Sequence, residues 1–237
     1  MDPAVIVALI ALAGTAGNAV MAYYFNSRSE SRRVQREAEA ILTQHRSLLT
    51  FASLELRDRL TNILDGALLD AYAPGARGEE KVALEITPLR DEAVKTTLFR
   101  VSQYLGSAEI VRRHSVTSKA RSADEDYRRR AIELSELTAT IGHTFATDRY
   151  GDGPGLMLWR EAQRAIGELM ITREDGVTTT IGYAAFLGRF KEFAPWLDRM
   201  QQVFDRGKPV GAWPERQRAN DLRERLDELL QALGASS

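Results

Sequence analysis

The sequence predicts a mainly α-helical protein: one N-terminal transmembrane helix and a cytoplasmic α-helical bundle, with one small β-hairpin as the only candidate sheet. Residues 4–25 carry no charged side chain, and residues 48–72 repeat apolar side chains at helical spacing. Only residues 171–181 have the composition of two short strands joined by a turn. We therefore divide the chain into a transmembrane anchor (1–25), a juxtamembrane helical extension (26–46) and a cytoplasmic α-helical domain (47–237).

The charge-free run begins at Ala4 and ends at Phe25. As a helix it would measure roughly 33 Å, enough to cross a hydrocarbon core of about 30 Å. A cleaved signal peptide would have a positively charged start and a shorter apolar core, whereas only Asp2 is charged before this run. A buried core helix would carry a polar face, and the interior of this run offers only Thr15 and Asn18. Of these three interpretations the sequence favours a retained anchor.

Basic residues follow the anchor and none precedes it; they are Arg28, Arg32, Arg33 and Arg36. Lys and Arg are enriched in the cytoplasmic segments next to membrane spans. The sequence thus predicts a single-pass protein of the inner membrane, with its N-terminus outside and its C-terminal domain in the cytoplasm. The bilayer is the first expected partner, since these arginines either meet anionic lipid headgroups or act on topology alone.

Small or polar residues recur along one face of the anchor at alternating spacings of four and three; they are Ala4, Ala8, Ala11, Thr15, Asn18 and Ala22. Such a seam lets two helices approach closely in lipid, and an asparagine in it can find a hydrogen-bond partner across the contact. The seam predicts association of the anchor with itself or with a partner helix. The alternative is that alanine is simply frequent in an apolar helix.

Charge and composition exclude several classes of function. The chain has 32 Lys plus Arg, 33 Asp plus Glu and no cysteine. Because Asp2 is the only charge before residue 26, the rest of the chain is net neutral, and general attraction to nucleic acid is not expected. Without cysteine there is no disulfide, no iron–sulfur ligation and no thiol catalysis.

The helical domain is expected to contain six helices. The first runs from Leu48 to about Tyr72, and the second begins at Thr87 and Pro88, a typical N-cap and first-turn pair, and ends near Arg113. Residues 115–122 are expected to form a polar loop before a third helix that ends near Thr147. The glycine-rich segment 148–155 predicts a strong break, followed by a helix over residues 156–170.

Residues 171–181 have β-branched side chains on both sides of Asp175-Gly176, the dipeptide of a tight hairpin turn, and predict a small hairpin or an extended loop. A helix rich in aromatic residues is expected over 183–204, with Pro195 kinking or restarting it. A loop over 207–214 and a last amphipathic helix over 215–233 complete the chain.

Motifs for metals, phosphates and nucleophilic catalysis are absent from the sequence. The three histidines lie in separate segments, and no GxSxG elbow occurs. The segment Gly151–Gly155 lacks the ending of a P-loop, and Asp152 would repel phosphate. We therefore expect no metal site and no cofactor.

One group of polar residues and one basic run are candidate sites. The group is a candidate polar cleft formed by Trp159, Arg160, Glu161, Arg164 and Glu168. Glu109, Glu161 and Glu168 would meet there as acids if the cleft were catalytic, whereas ion pairs between helices explain the same residues more simply. The basic run lies between Arg112 and Arg130 and would meet lipid, nucleic acid or an acidic partner, or form a solvated helix face.

The phrase from Trp159 to Glu168, the tetrapeptide Gln103–Gly106 and the pair Arg112-Arg113 resemble stretches of a family of uncharacterised single-pass bacterial membrane proteins with a helical cytoplasmic part. The resemblance covers most of the region after the anchor. It implies a fold and a membrane location, and it brings no catalytic residues.

The function expected from the sequence is that of a membrane-anchored cytoplasmic interaction or scaffold module, which binds a protein partner or a second copy of itself. The alternative is a membrane-tethered effector of a bacterial defence or toxin system, either an enzyme acting on a small molecule or nucleotide or an oligomerising protein that perturbs the membrane. A scaffold would show an exposed apolar patch without a deep polar pocket, and an enzyme a concave site with perturbed pKa values.

Overall fold

A computed structural model describes Met21 and residues 43–66, 68–69, 80–119, 125–205 and 210–235, with the backbone alone for 80–87, 114–119, 127–128 and 130–131. The elements are α1 (residues 43–64), α2 (Glu80–Lys119), α3 (Glu125–Ala146), α4 (Arg160–Met170), β1 (Ile171–Glu174), β2 (Val177–Thr180), α5 (Tyr183–Gly188), α6 (Phe190–Asp205), a 3₁₀ turn (Val210–Ala212) and α7 (Arg216–Ala232). This confirms a mainly helical fold with a small two-stranded antiparallel sheet.

The predicted anchor, its seam and the four juxtamembrane arginines lie outside the described residues, apart from Met21. The extension is described only from residue 43. Among the helices that the structure describes, none is long and apolar enough to cross a membrane.

Buried apolar side chains of α1, α2 and α7 belong to one hydrophobic core. The apolar stripe predicted for the first helix is buried, with Leu49, Leu56 and Leu60 each at most 4% exposed. Ion pairs fix the alignment of these helices at its edges. Arg100 on α2 contacts Glu55 on α1 at 2.7 Å, and Asp65 after α1 pairs with Arg223 on α7. Apolar burial provides most of the stability, and the ion pairs set which residues face each other.

The predicted hairpin is confirmed. β1 and β2 pair antiparallel with Ile171 opposite Thr180, and the turn lies at Asp175-Gly176. Both turn residues have positive φ, 50° and 81°, which is the conformation that this dipeptide favours. The hairpin packs on α2 at Gly106, where an added Cβ would lie 2.9 Å from the Thr180 methyl group.

Four predicted boundaries are wrong. The first helix ends at residue 64, well before Tyr72. The second begins at Glu80, so Pro88 is inside α2, and it continues to Lys119 through residues expected to be a loop. The helix expected from residue 156 begins at Arg160, because Leu156 and Leu158 are buried from an extended segment and Leu158 donates its N–H to a carbonyl at the end of α3. At the start of α4, burial of Leu156 and Leu158 thus prevails over the local helix signal.

The aromatic helix expected over residues 183–204 is two helices, and the break is at Arg189 and not at Pro195. The break lets Phe186 on α5 pack against both α2 and α6. Its ring centroid lies 5.5 Å from that of Phe99 and 4.8 Å from that of Phe193. Pro195 is in the second turn of α6, and the helix continues through it although proline cannot donate the backbone hydrogen bond to residue 191.

Candidate arginine groove

The described surface contains a groove of about 210 Å³ between α2, α3 and α4, which we call the arginine groove. It is lined by Leu105, Ala108, Glu109 and Arg112 of α2, by Ser135, Thr138, Ala139 and Gly142 of α3, and by Arg160, Gln163 and Arg164 of α4. Three arginines and one glutamate line it, so it carries a net positive charge.

Glycine makes the close approach of α4 to α2 possible. A Cβ at Gly167 would lie 2.9 Å from the Leu105 carbonyl oxygen and 2.9 Å from Cβ of Glu109. Side chains at these positions normally need more room, so only glycine lets the two backbones pack this tightly. This packing sets the distance between α4 and α2, and with it the position of the α4 arginines at the groove.

Gln163 ties α4 to α3. Its Nε2 donates to the carbonyl oxygens of Gly142 and Leu158, both at 2.8 Å. A Cβ at Gly142 would lie 2.9 Å from Oε1 of Gln163, so a larger residue here would require the Gln163 amide to shift. The amide of Gln163 is therefore used for structure, and the walls of the groove are held by hydrogen bonds as well as by apolar packing.

Glu109 is only 4% exposed and is held by two arginines. Arg112 donates to both carboxylate oxygens at 2.6 Å, and Arg113 donates to Oε1 at 2.7 Å. Burial by itself raises the pKa of Glu109, but the hydrogen bonds and charges of Arg112 and Arg113 outweigh burial and leave the pKa below its ordinary value. At neutral pH Glu109 is ionised and its acceptor capacity is largely used.

Arg160 and Arg164 differ from Arg112 in having no hydrogen-bond or ion-pair partner among the described residues. Both are exposed, and they are four residues apart on one face of α4. Like charges at this spacing destabilise a helix by about 0.2–0.5 kcal/mol. An anion bound between them would relieve this repulsion, since the guanidinium group binds carboxylate or phosphate through two parallel hydrogen bonds.

The five residues of the candidate polar cleft do not all line the groove. Arg160 and Arg164 do. Glu168 is 59% exposed and accepts a 2.7 Å hydrogen bond from Arg113, which links it to Glu109 by a shared arginine. Trp159 is 55% exposed at the residue before α4, and Glu161 is exposed without lining the groove. Of the three acids Glu109, Glu161 and Glu168, only Glu109 and Glu168 are brought together, through Arg113.

Ser135, Thr138 and Gln163 were missed as groove residues, because nothing in the sequence indicates that α3 packs beside α4. Gly142 and Gln163 are 21 residues apart in the sequence, and their hydrogen bond can be expected only when α3 and α4 are known to be adjacent. The one usable signal was the repeated Arg-x-x-x-Arg of α4 itself, which places two cations on one helix face.

A second polar cluster, at the break between α3 and α4, was also missed. Arg218 of α7 is fully buried and donates from Nε and Nη2 to the two oxygens of Asp152, both at 2.8 Å. Its Nη1 donates to the carbonyl oxygens of Thr144 and Phe145 at 2.9 and 3.0 Å, and its guanidinium lies 4.7 Å from the ring centroid of Tyr150. With these donors satisfied, the cluster holds the glycine-rich turn against α7 and is a structural feature.

Metal ligation has no candidate in the part of the chain that the structure describes, where no group of three or more His, Asp or Glu is placed to hold an ion. Comparisons with protein-family models, with curated proteins and with solved structures find no match to this chain. The resemblance drawn from the sequence therefore stays an expectation.

Proposed function

We propose that this protein is a membrane-anchored interaction module that binds an acidic segment of a partner protein in the arginine groove. The observation that carries the proposal is the pair Arg160 and Arg164, two arginines without described partners at the edge of an open groove between three helices. Charged groups placed in this way give a binding surface its specificity and speed association with an oppositely charged partner.

Binding fits the groove better than catalysis does. A general acid or base needs a carboxylate with a pKa near the working pH, whereas the pKa of Glu109 is lowered by its two arginines. Glu109 is also the one carboxylate among the lining residues. The volume of about 210 Å³ is smaller than the roughly 300–1,000 Å³ of most small-molecule sites, and it suits a few side chains of a protein partner.

The proposed location rests on the sequence alone. The charge-free residues 4–25 form the anchor in the inner membrane, and the arginines after it keep the helical domain in the cytoplasm. Because the chain has no cysteine, single introduced cysteines can report on each side. In intact cells a membrane-impermeant maleimide should label Asp2→Cys and leave Ala235→Cys unlabelled until the membrane is opened. Labelling of Ala235→Cys in intact cells would contradict this orientation.

The binding proposal is tested with the full chain in detergent micelles and a fluorescent peptide of eight glutamates. Binding is measured by fluorescence anisotropy, with a peptide of eight lysines as the charge control. The double variant Arg160→Glu/Arg164→Glu should weaken binding of the glutamate peptide at least about tenfold, because two attractive contacts become repulsive.

The matched control is Lys191→Glu/Arg199→Glu, which reverses two exposed charges on α6 that have no described partner and do not line the groove. It makes the same change in net charge and should weaken binding no more than about twofold. Equal losses in the two double variants would show general charge attraction and would refute the groove as the binding site.

A further inference from the structure

The tip of the hairpin carries two carboxylates. Glu174 and Asp175 are both exposed, and neither side chain has a hydrogen-bond or ion-pair partner among the described residues. The hydrogen bond within the turn comes from Arg173, which donates to the backbone oxygen of Gly176 at 3.2 Å. A two-residue turn presents these acids on a narrow ribbon that can enter a groove too small for a helix.

The hairpin and the arginine groove flank the same turns of α2. The groove uses Glu109 and Arg112, while residues of both strands line a cavity with Ile110 and Arg113. A tip and a groove on adjacent faces of one helix can contact different copies in a head-to-tail arrangement. In each such contact one copy gives its tip and the next copy receives it in its groove.

We propose that the arginine groove of one copy binds the acidic hairpin tip of a second copy, with Glu174 and Asp175 placed against Arg160 and Arg164. This inference rests on the proposed function and identifies its partner as the same protein. Charge complementarity supports the contact, because two cations without described partners meet two such anions. Neither copy has to break a described ion pair to form it.

The contact is small and depends on the membrane for its strength. Interfaces that are stable in solution bury about 1,200–2,000 Å², far more than a two-residue tip in this groove can provide. Exposed ion pairs contribute roughly 0.2–1 kcal/mol each. Two copies anchored in one bilayer share a raised effective concentration, which allows a weak contact to form without new interactions. Association is therefore expected in membranes and not in dilute micelles.

The test is disulfide cross-linking between copies in native membranes, using the absence of cysteine in the chain. One copy carries Ala139→Cys in the groove wall, and a differently tagged copy carries Val177→Cys beside the tip; both residues are exposed. Mild oxidation should join the two tags in one band. Replacing Val177→Cys by Asp198→Cys, an exposed position on α6, should lower the yield at least about fivefold.

The same double variant then serves as test and control. On the Ala139→Cys copy, Arg160→Glu/Arg164→Glu reverses the charge of the groove that forms the cross-linked contact, and the cross-linking yield should fall at least about fivefold. On the Val177→Cys copy the same double variant changes a groove that takes no part in the cross-linked contact, and the cross-linking yield should fall no more than about twofold. Glu174→Lys with Asp175→Asn on the Val177→Cys copy should lower the yield as the groove variant does.

Absence of the cross-link, or an equal fall with the groove variant on either copy, would overturn the tip-in-groove contact. The peptide measurement separates this failure from that of the proposed function. If the groove variant still abolishes binding of the glutamate peptide, the groove binds an acidic segment of a different protein. If peptide binding is also unchanged, both proposals fail.

Discussion

Removing the guanidinium of Arg218 should cost more stability than any other single polar change in the described part of the chain. In Arg218→Met the Asp152 carboxyl group, whose side chain is 1% exposed, loses its buried cationic partner and two hydrogen bonds of 2.8 Å. The carbonyl oxygens of Thr144 and Phe145 also lose a donor. Breaking a buried ion pair by removing one partner costs about 3–5 kcal/mol, a large part of the roughly 5–15 kcal/mol of a typical domain.

The assay is urea unfolding of the full chain in micelles, followed by tryptophan fluorescence. All three tryptophans lie in the helical domain, and Trp213 is buried beside Phe204 at 6.0 Å between ring centroids. The free energy of unfolding should fall by about 3–5 kcal/mol without a change in the urea dependence. The control is Arg149→Met, which removes a half-exposed partner of Asp221 and should cost less than about 1 kcal/mol. A loss below about 1 kcal/mol for Arg218→Met would refute the argument that the buried pair holds the turn to α7.

Three further predictions concern α2 and α4. Because the pKa of Glu109 is lowered in the folded protein, Glu109 stabilises the fold above its unfolded pKa near 4.5, and this stabilisation is lost as the pH falls through the folded pKa. The stability advantage of the natural protein over Glu109→Gln should therefore shrink in acid. The control variant Glu161→Gln should show no such trend. Gly167→Ala should destabilise the fold by about 1–3 kcal/mol in urea unfolding because its Cβ meets α2 at 2.9 Å, while Gly182→Ala, with open space, should be nearly neutral; equal effects would contradict the close-packing argument. Tyr104→Phe should be neutral or stabilising by the same measurement, since the buried hydroxyl has no hydrogen-bond partner among the described residues, and a loss above about 1 kcal/mol would contradict this.

Local sequence signals predicted the turns better than the helix ends. Asp175-Gly176 forms the hairpin turn because positive φ is a property of those two residues and needs no tertiary support. Thr87 and Pro88 form an equally typical helix start, yet α2 runs through them from Glu80. A proline costs a helix about 3 kcal/mol, which the packing of a long helix can offset. The position of a helix end depends on the balance between local preferences and tertiary packing, and a single local signal does not decide it.

The candidate site also combines features that the sequence predicts with features that it does not. Arg160 and Arg164 were selected from their spacing on one helix, which is a local property, and both line the groove. The partners of the acids were only partly predictable: the sequence shows Arg113 four residues from Glu109 on one helix, and it does not show the contact of Arg113 with Glu168 on another. The side chain of Arg218 lies in α7 and its partner Asp152 in a loop 66 residues earlier, and no pattern in the sequence connects them.

The sequence by itself determined the helical character of the domain, the hairpin turn and the charge-free run at the N-terminus, because periodicity, turn conformation and hydrophobic length are properties of neighbouring residues. Only the tertiary structure decided which helices lie side by side. It also decided which charged side chains have hydrogen-bond or ion-pair partners and which have none among the described residues. Gly106 and Gly167 matter because α4 packs closely on α2, and Arg160 and Arg164 line a groove because α3 packs beside α4. Those outcomes depend on contacts between distant residues, whose energies no local pattern records.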